Sequence, residues 1–119
     1  MRILMTVDPE IPVPPRLYGG VERIVDALVK ALRGRGHEVG LAAHPCSTCE
    51  VSAFFPWPGL RSQNRIDSLR NMRALHKAVA TFQPDLLHSF SRILYMLPLV
   101  GRRLPKIMCY GREPTPRTV

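Results

Sequence analysis

The stretch RLYGGVERIVDALVKALRGRGHEVG, Arg16 to Gly40, decides the fold class of this chain. From Val21 onward the apolar residues Val21, Ile24, Val25, Leu28 and Leu32 recur at the spacing of one α-helical face. Glu22 and Asp26 stand in the first turns, where acids complement the positive end of the helix dipole, and Arg33 and Arg35 stand at the far end. Gly34 and Gly36 supply a left-handed exit, after which EVGLAA, Glu38 to Ala43, reads as a strand. The adjacent pair Gly19 and Gly20 is a poor local choice for opening a helix. Either the backbone turns there where a side chain would clash, or something approaches it closely.

Working outward, Ile3 to Val7 is a short apolar run ending at Asp8 and Pro9, the pattern of a strand buried on both faces. The segment DPEIPVPPRLYGG, with four prolines and two glycines, is a loop too long to be a mere connector. Beyond Ala43 the prolines of HPCSTCEVSAFFPWPG predict loop, with a short extended piece at Val51 to Phe55. Leu69, Met72, Leu75, Val79 and Phe82 trace a second helical stripe, while Arg70, Arg73 and Lys77 share its polar face. Pro84 biases Gln83 away from helix and sets the stop. Asp85 to Ser89 reads as a third strand, RILYMLPLVGRRL as a buried helix broken at Pro98, and Lys106 to Tyr110 as a fourth strand. Strands alternating with helices imply an α/β domain, a Rossmann-like open parallel sheet flanked by helices. Ligands of such sheets bind at the carboxyl ends of the strands. The loops of interest are therefore Asp8 to Gly20, the segment after Ala43, Ser89 to Arg92, and Tyr110 to Glu113.

The 119 residues suffice for one domain, and 45% hydrophobic with 22% charged residues excludes a disordered chain. The net charge of +8 is scattered, without dense runs or interleaved aromatics, which argues against a nucleic-acid partner. The shared face of Arg70, Arg73 and Lys77 leaves weak contact with an anionic membrane open. No apolar run approaches the ~20 residues of a membrane span, and the opening apolar run is too short for a secretory signal. A cytoplasmic location follows, and three cysteines, an odd count, fit a reducing compartment.

The candidate chemistry lies at those loops. Gly19 and Gly20 open the first helix, where free N–H groups and the positive dipole end suit an anion; the plain alternative is a tight turn. The pattern is not G-x-G-x-x-G, so no dinucleotide fingerprint is present. Glu22 can accept a hydrogen bond from a hydroxyl-rich ligand or merely stabilise the helix start. His88, near the end of the third strand, can donate to a substrate or move a proton, or can be a satisfied structural histidine. HPCSTC, with His44, Cys46 and Cys49, invites zinc, but a full site needs four ligands and no second pair exists; no metal is expected. Neither a Ser-His-Asp spacing nor a close carboxylate pair is visible.

MRILMTVDP, YGGVERIVDALVKALRGRGHEVGLAA and FQPDLLHSFS together resemble the amino-terminal domain of family 4 glycosyltransferases of the two-domain GT-B architecture. The resemblance covers most of the chain and is most specific from Tyr18 to Ala43. It implies a retaining transferase without cofactor or bound metal, whose first domain binds the acceptor and whose second holds the nucleotide-sugar. The Gly19-Gly20 loop would meet the donor diphosphate. Many relatives carry D-x-x-H-x-H at the third strand; DLLHSF keeps His88 as the catalytic candidate and puts Phe90 at the second position. Where relatives have a cleft histidine after the fourth strand, this chain has Tyr110 and Arg112 as substrate-binding candidates. Nothing corresponds to the donor-binding second domain, so residues 1–119 are expected to be a partial domain that lacks its last strands and is inactive alone. The rival expectation is a non-catalytic Rossmann-like module that binds an anionic ligand or an acidic partner through its positive charge.

Overall fold

The computed structural model describes residues 1–14, 20–60, 64–91, 95 and 103–109. Five parallel strands form one sheet: β1 (Arg2–Val7), β2 (Glu38–Ala43), β3 (Ala53–Pro56), β4 (Leu86–Phe90) and β5 (Lys106–Met108). Their spatial order is β3-β2-β1-β4-β5. The chain thus leaves β1 toward one edge, builds β2 and β3, then returns through a helix to build β4 and β5 on the other side. β1 sits at the centre because its five residues Ile3 to Val7 are apolar or small and buried on both faces.

Helices α1 (Gly20–Gly34) and α2 (Arg65–Phe82) cover opposite faces. On the α1 side Ile3, Met5, Val7, Val39 and Leu41 pack with Val25 and Val29. On the α2 side Leu4, Ala42 and Leu87 pack with Leu75, Val79, Phe82, Trp57 and Tyr95. The strand period of two divides the inward residues between these two cores.

Both helices differ from the faces their apolar spacing predicts. In α1 the buried residues are Glu22, Val25 and Val29, whereas Ile24 is exposed. In α2 the carboxyl half follows the expected stripe, but its first turns bury Ser68 and Asn71 while Leu69 is 59% exposed. In α2 the physical reason is a contact outside the helix. Asn71 faces the backbone of Gly59, accepting from its N–H at 2.9 Å and donating to its carbonyl at 2.9 Å. These two groups are buried, and meeting them with an amide outweighs burying one more leucine.

The extended piece beyond Ala43 is β3, shifted to Ala53–Pro56, and it is a fifth strand paired parallel to β2. The connection before it, residues 44–52, contains no helix and is tied down by Val13: the Val13 amide donates to Ser47 Oγ at 2.9 Å, and the amides of Thr48 and Cys49 donate to its carbonyl. The third predicted strand is β4, shifted by one residue; the fourth is β5, which begins at the predicted Lys106 and ends at Met108, while Tyr110 lies outside the described residues. Gln83 caps α2 in the left-handed conformation, φ 51°, and Gly36 takes φ 90° beyond α1. The helix expected over RILYMLPLVGRRL lies outside the described residues except for Tyr95, Arg103 and Leu104. No helix among the described residues is long and apolar enough to cross a membrane.

Candidate functional site

The strand order reverses at β1, so the place where a ligand can enter lies at the carboxyl ends of β1 and β4. There Val7 is in register with Phe90, and Thr6 with Ser89. The tip of β1 is fixed by Trp57, whose buried indole Nε1 donates to the Val7 carbonyl at 2.7 Å and whose ring lies 5.2 Å from that of Tyr95.

On the α2 side of this edge three buried hydroxyls meet. Thr6 Oγ1 lies 2.9 Å from Ser89 Oγ and 2.8 Å from Ser91 Oγ, and the two serines are 3.0 Å apart. Each hydroxyl has one proton to give and lone pairs to receive, so the three satisfy one another in a closed ring under the strand tips. Sequence reading missed this cluster. Its signal was present: Thr6 is the polar residue of an apolar strand, and Ser89 and Ser91 are two apart, on one face.

On the α1 side His88 stacks on Phe90, ring centroids 4.6 Å apart, and its Nε2 lies 3.3 Å from Cys109 Sγ just beyond β5. His88 is half-buried in the middle of β4, opposite Met5, and its desolvation lowers its pKa below 6.5 and favours the neutral imidazole. Phe90, at the second position of the D-x-x-H-x-H pattern, therefore forms one wall of the histidine's surroundings, and Cys109 forms a partner that the sequence did not suggest.

Gly20 is the first residue of α1, at the same end of the domain as the strand tips, and is exposed. A Cβ built there would meet nothing within 4 Å among the described residues, and its φ is not in the left-handed region. Packing explains Gly59, whose added Cβ would fall 2.5 Å from Asp67 Cβ; among the described residues neither packing nor backbone conformation explains Gly20. The same openness holds at Gly34, but that residue ends α1 at the opposite side of the domain. Glu22, in the first turn of α1, is only 7% exposed. Burial raises its pKa above 4.5, partly offset by a hydrogen bond from its own backbone amide. Gly19, Tyr110 and Arg112 lie outside the described residues.

A cavity of about 440 Å³ lies along α1, lined by Pro14, Asp26, Lys30, Arg33, Thr48, Cys49 and Glu50. It does not include Gly20 or His88, and its cations are already paired, Lys30 with Asp26 at 3.0 Å and Arg33 with Glu50 at 3.9 Å. His44 Nδ1 accepts from the Cys46 amide at 2.9 Å, a local turn. Among the described residues no three His, Cys, Asp or Glu side chains converge as metal ligands.

Among curated proteins, none matches the chain in sequence. In three dimensions it is similar to a solved structure described as the glycotransferase of kitacinnamycin, with a TM-score of 0.62 at 18% identity. That likeness, which covers 97% of this chain, is one of fold; the chain spans 31% of the length of that protein. Residues 18–110 match the profile of Glycosyltransferase Family 4, and the chain belongs to that family.

Proposed function

We propose that this domain is the acceptor-side half of a retaining glycosyltransferase that moves a sugar from a nucleotide-sugar donor to an acceptor, with the Gly19-Gly20 loop at the donor diphosphate. The observation that carries the reading is Gly20 itself: a bare, exposed main chain at a helix start, where a side chain would meet none of the described residues and none of them gives a packing reason for a glycine. An N-terminal helix end offers unpaired N–H groups and positive partial charge. Such groups stabilise the negative charge that gathers on a departing diphosphate, and being preorganised they cost no rearrangement as the bond breaks. Each side chain added at Gly20 would hold the phosphates off that backbone.

In this reading Glu22 accepts from a ligand hydroxyl, Tyr110 and Arg112 contact the acceptor or a phosphate, and His88, kept neutral, donates to the sugar or acceptor rather than to water. The enzyme works in the cytoplasm, and transfer needs a donor-binding second domain that residues 1–119 do not supply.

The test uses the chain itself. Nucleoside diphosphate titrated into labelled protein is expected to shift the backbone amide resonances of Gly20 and Val21 ahead of all others. Gly20→Val is expected to remove those shifts with unfolding unchanged, since the added Cβ meets none of the described residues within 4 Å. Shifts confined to residues away from the start of α1, or an undiminished response in Gly20→Val, contradict the phosphate role.

A further inference from the structure

We propose that the outer face of α2 docks on an anionic lipid surface. The face is defined by what the helix does not bury. Ser68 and Asn71 turn inward, and Ile66 and Leu69 are left 69% and 59% exposed. At 100° per residue the same outward arc carries Arg65, Arg70, Arg73 and Lys77, all exposed. The one acid of α2, Asp67, sits to the side at the helix start, with its Cβ against Gly59. Among the described residues none of these four cations is ion-paired. From Arg65 to Lys77 the arc runs about 18 Å along the helix axis, a strip of one charge sign.

A strip that carries only cations attracts a polyanion, and the two aliphatic side chains decide which kind. A nucleic-acid backbone gains from cations and from stacking aromatics, and this face has none of the latter. A bilayer gains from both features present: headgroup phosphates take the arginines, and Ile66 and Leu69 enter the shallow acyl boundary between them. The long arginine and lysine stems span that depth, with their charges at the phosphate level. By contrast the cations of α1 are partly neutralised, Lys30 by Asp26 and Arg33 by Glu50. Among the described residues the unpaired charge over the sheet face opposite α1 is thus concentrated on α2.

The experiment is co-sedimentation of the chain with vesicles of phosphatidylcholine alone or with about one third phosphatidylglycerol. Binding is expected to the anionic vesicles only, and to be lost as salt rises toward ~0.5 M, where the Debye length falls to a few Å. Arg70→Glu with Arg73→Glu is expected to reduce partitioning at least about ten-fold. Ile66→Ser with Leu69→Ser is expected to reduce it about three-fold or more while leaving the remainder salt-sensitive. Arg35→Glu with Arg103→Glu, an equal change of net charge at exposed positions elsewhere, is the control and is expected to change it less than about three-fold. Circular dichroism verifies that each variant is folded. Absence of binding, equal binding to neutral vesicles, or an equal loss in the control pair overturns the proposal. So does tighter binding to an RNA oligonucleotide that ignores Ile66→Ser with Leu69→Ser, which would assign the face to nucleic acid.

Discussion

Replacing Asn71 by alanine tests the packing of α2 at the point where apolar spacing and structure disagree. Asn71 is fully buried, and its amide meets both the N–H and the carbonyl of Gly59 at 2.9 Å, with the Tyr95 hydroxyl 3.3 Å from Nδ2. Alanine leaves the two Gly59 groups without that partner in a buried loop. Each orphaned group costs about 1–3 kcal/mol, less whatever a water entering the vacated space restores, so roughly 3 kcal/mol is expected. For a domain of this size that lowers Tm by about 10 °C. Leu69→Ala, two residues earlier, removes a side chain that is 59% exposed and is expected to cost within ~0.5 kcal/mol. Urea unfolding followed by circular dichroism measures both, the midpoint moving at constant slope if only native stability changes. A larger loss in Leu69→Ala than in Asn71→Ala would refute the inward turn of Asn71 and restore the face that the leucines predict.

Two further outcomes follow from the buried ionisable groups. The Cys49 thiol is pushed up to about 12 from 9.0, first by burial and then by the Asp26 carboxylate beside it; at about pH 8.5 iodoacetamide is expected to label exposed Cys46 at least ten-fold faster, and equal rates would contradict that environment. Glu22 has its pKa raised above 4.5, so between that value and its folded value the native state keeps a proton that the unfolded chain has released, and stability falls as pH rises through this window. Glu22→Gln is therefore expected to be more stable than the parent near pH 7, with the gain vanishing below about pH 4; a gain of the same size at both pH values would rule out titration of Glu22 as its cause.

The sequence by itself determined the order and kind of the elements. Ile3 to Val7 carries no solvent face, so it had to be a central strand, and the run from Val21 has a helical period flanked by an acidic start, a basic end and glycines. Those signals are local, and local geometry suffices to express them. Pro84 marked the end of α2 for the same reason, and Gly36 the exit of α1. The alternation of strands with helices, together with the glycine pair before α1, likewise pointed to the carboxyl edge of the sheet as the candidate site.

Tertiary structure alone decided the faces and the partners. Asn71 is buried because the backbone of Gly59, twelve residues before it, presents a donor and an acceptor that its amide answers. No helical period encodes that demand. The extended piece read at Val51 to Phe55 lies at Ala53–Pro56, and its place as a strand parallel to β2 was set by the pairing with that edge. Thr6 met Ser89 and Ser91 across 83 and 85 positions of sequence, and His88 met Cys109, only once the parallel registers of β1, β4 and β5 were set. Periodicity reports which side of an element is apolar on average. Which polar groups go inside, and what they hold, depends on the neighbours that folding brings to them.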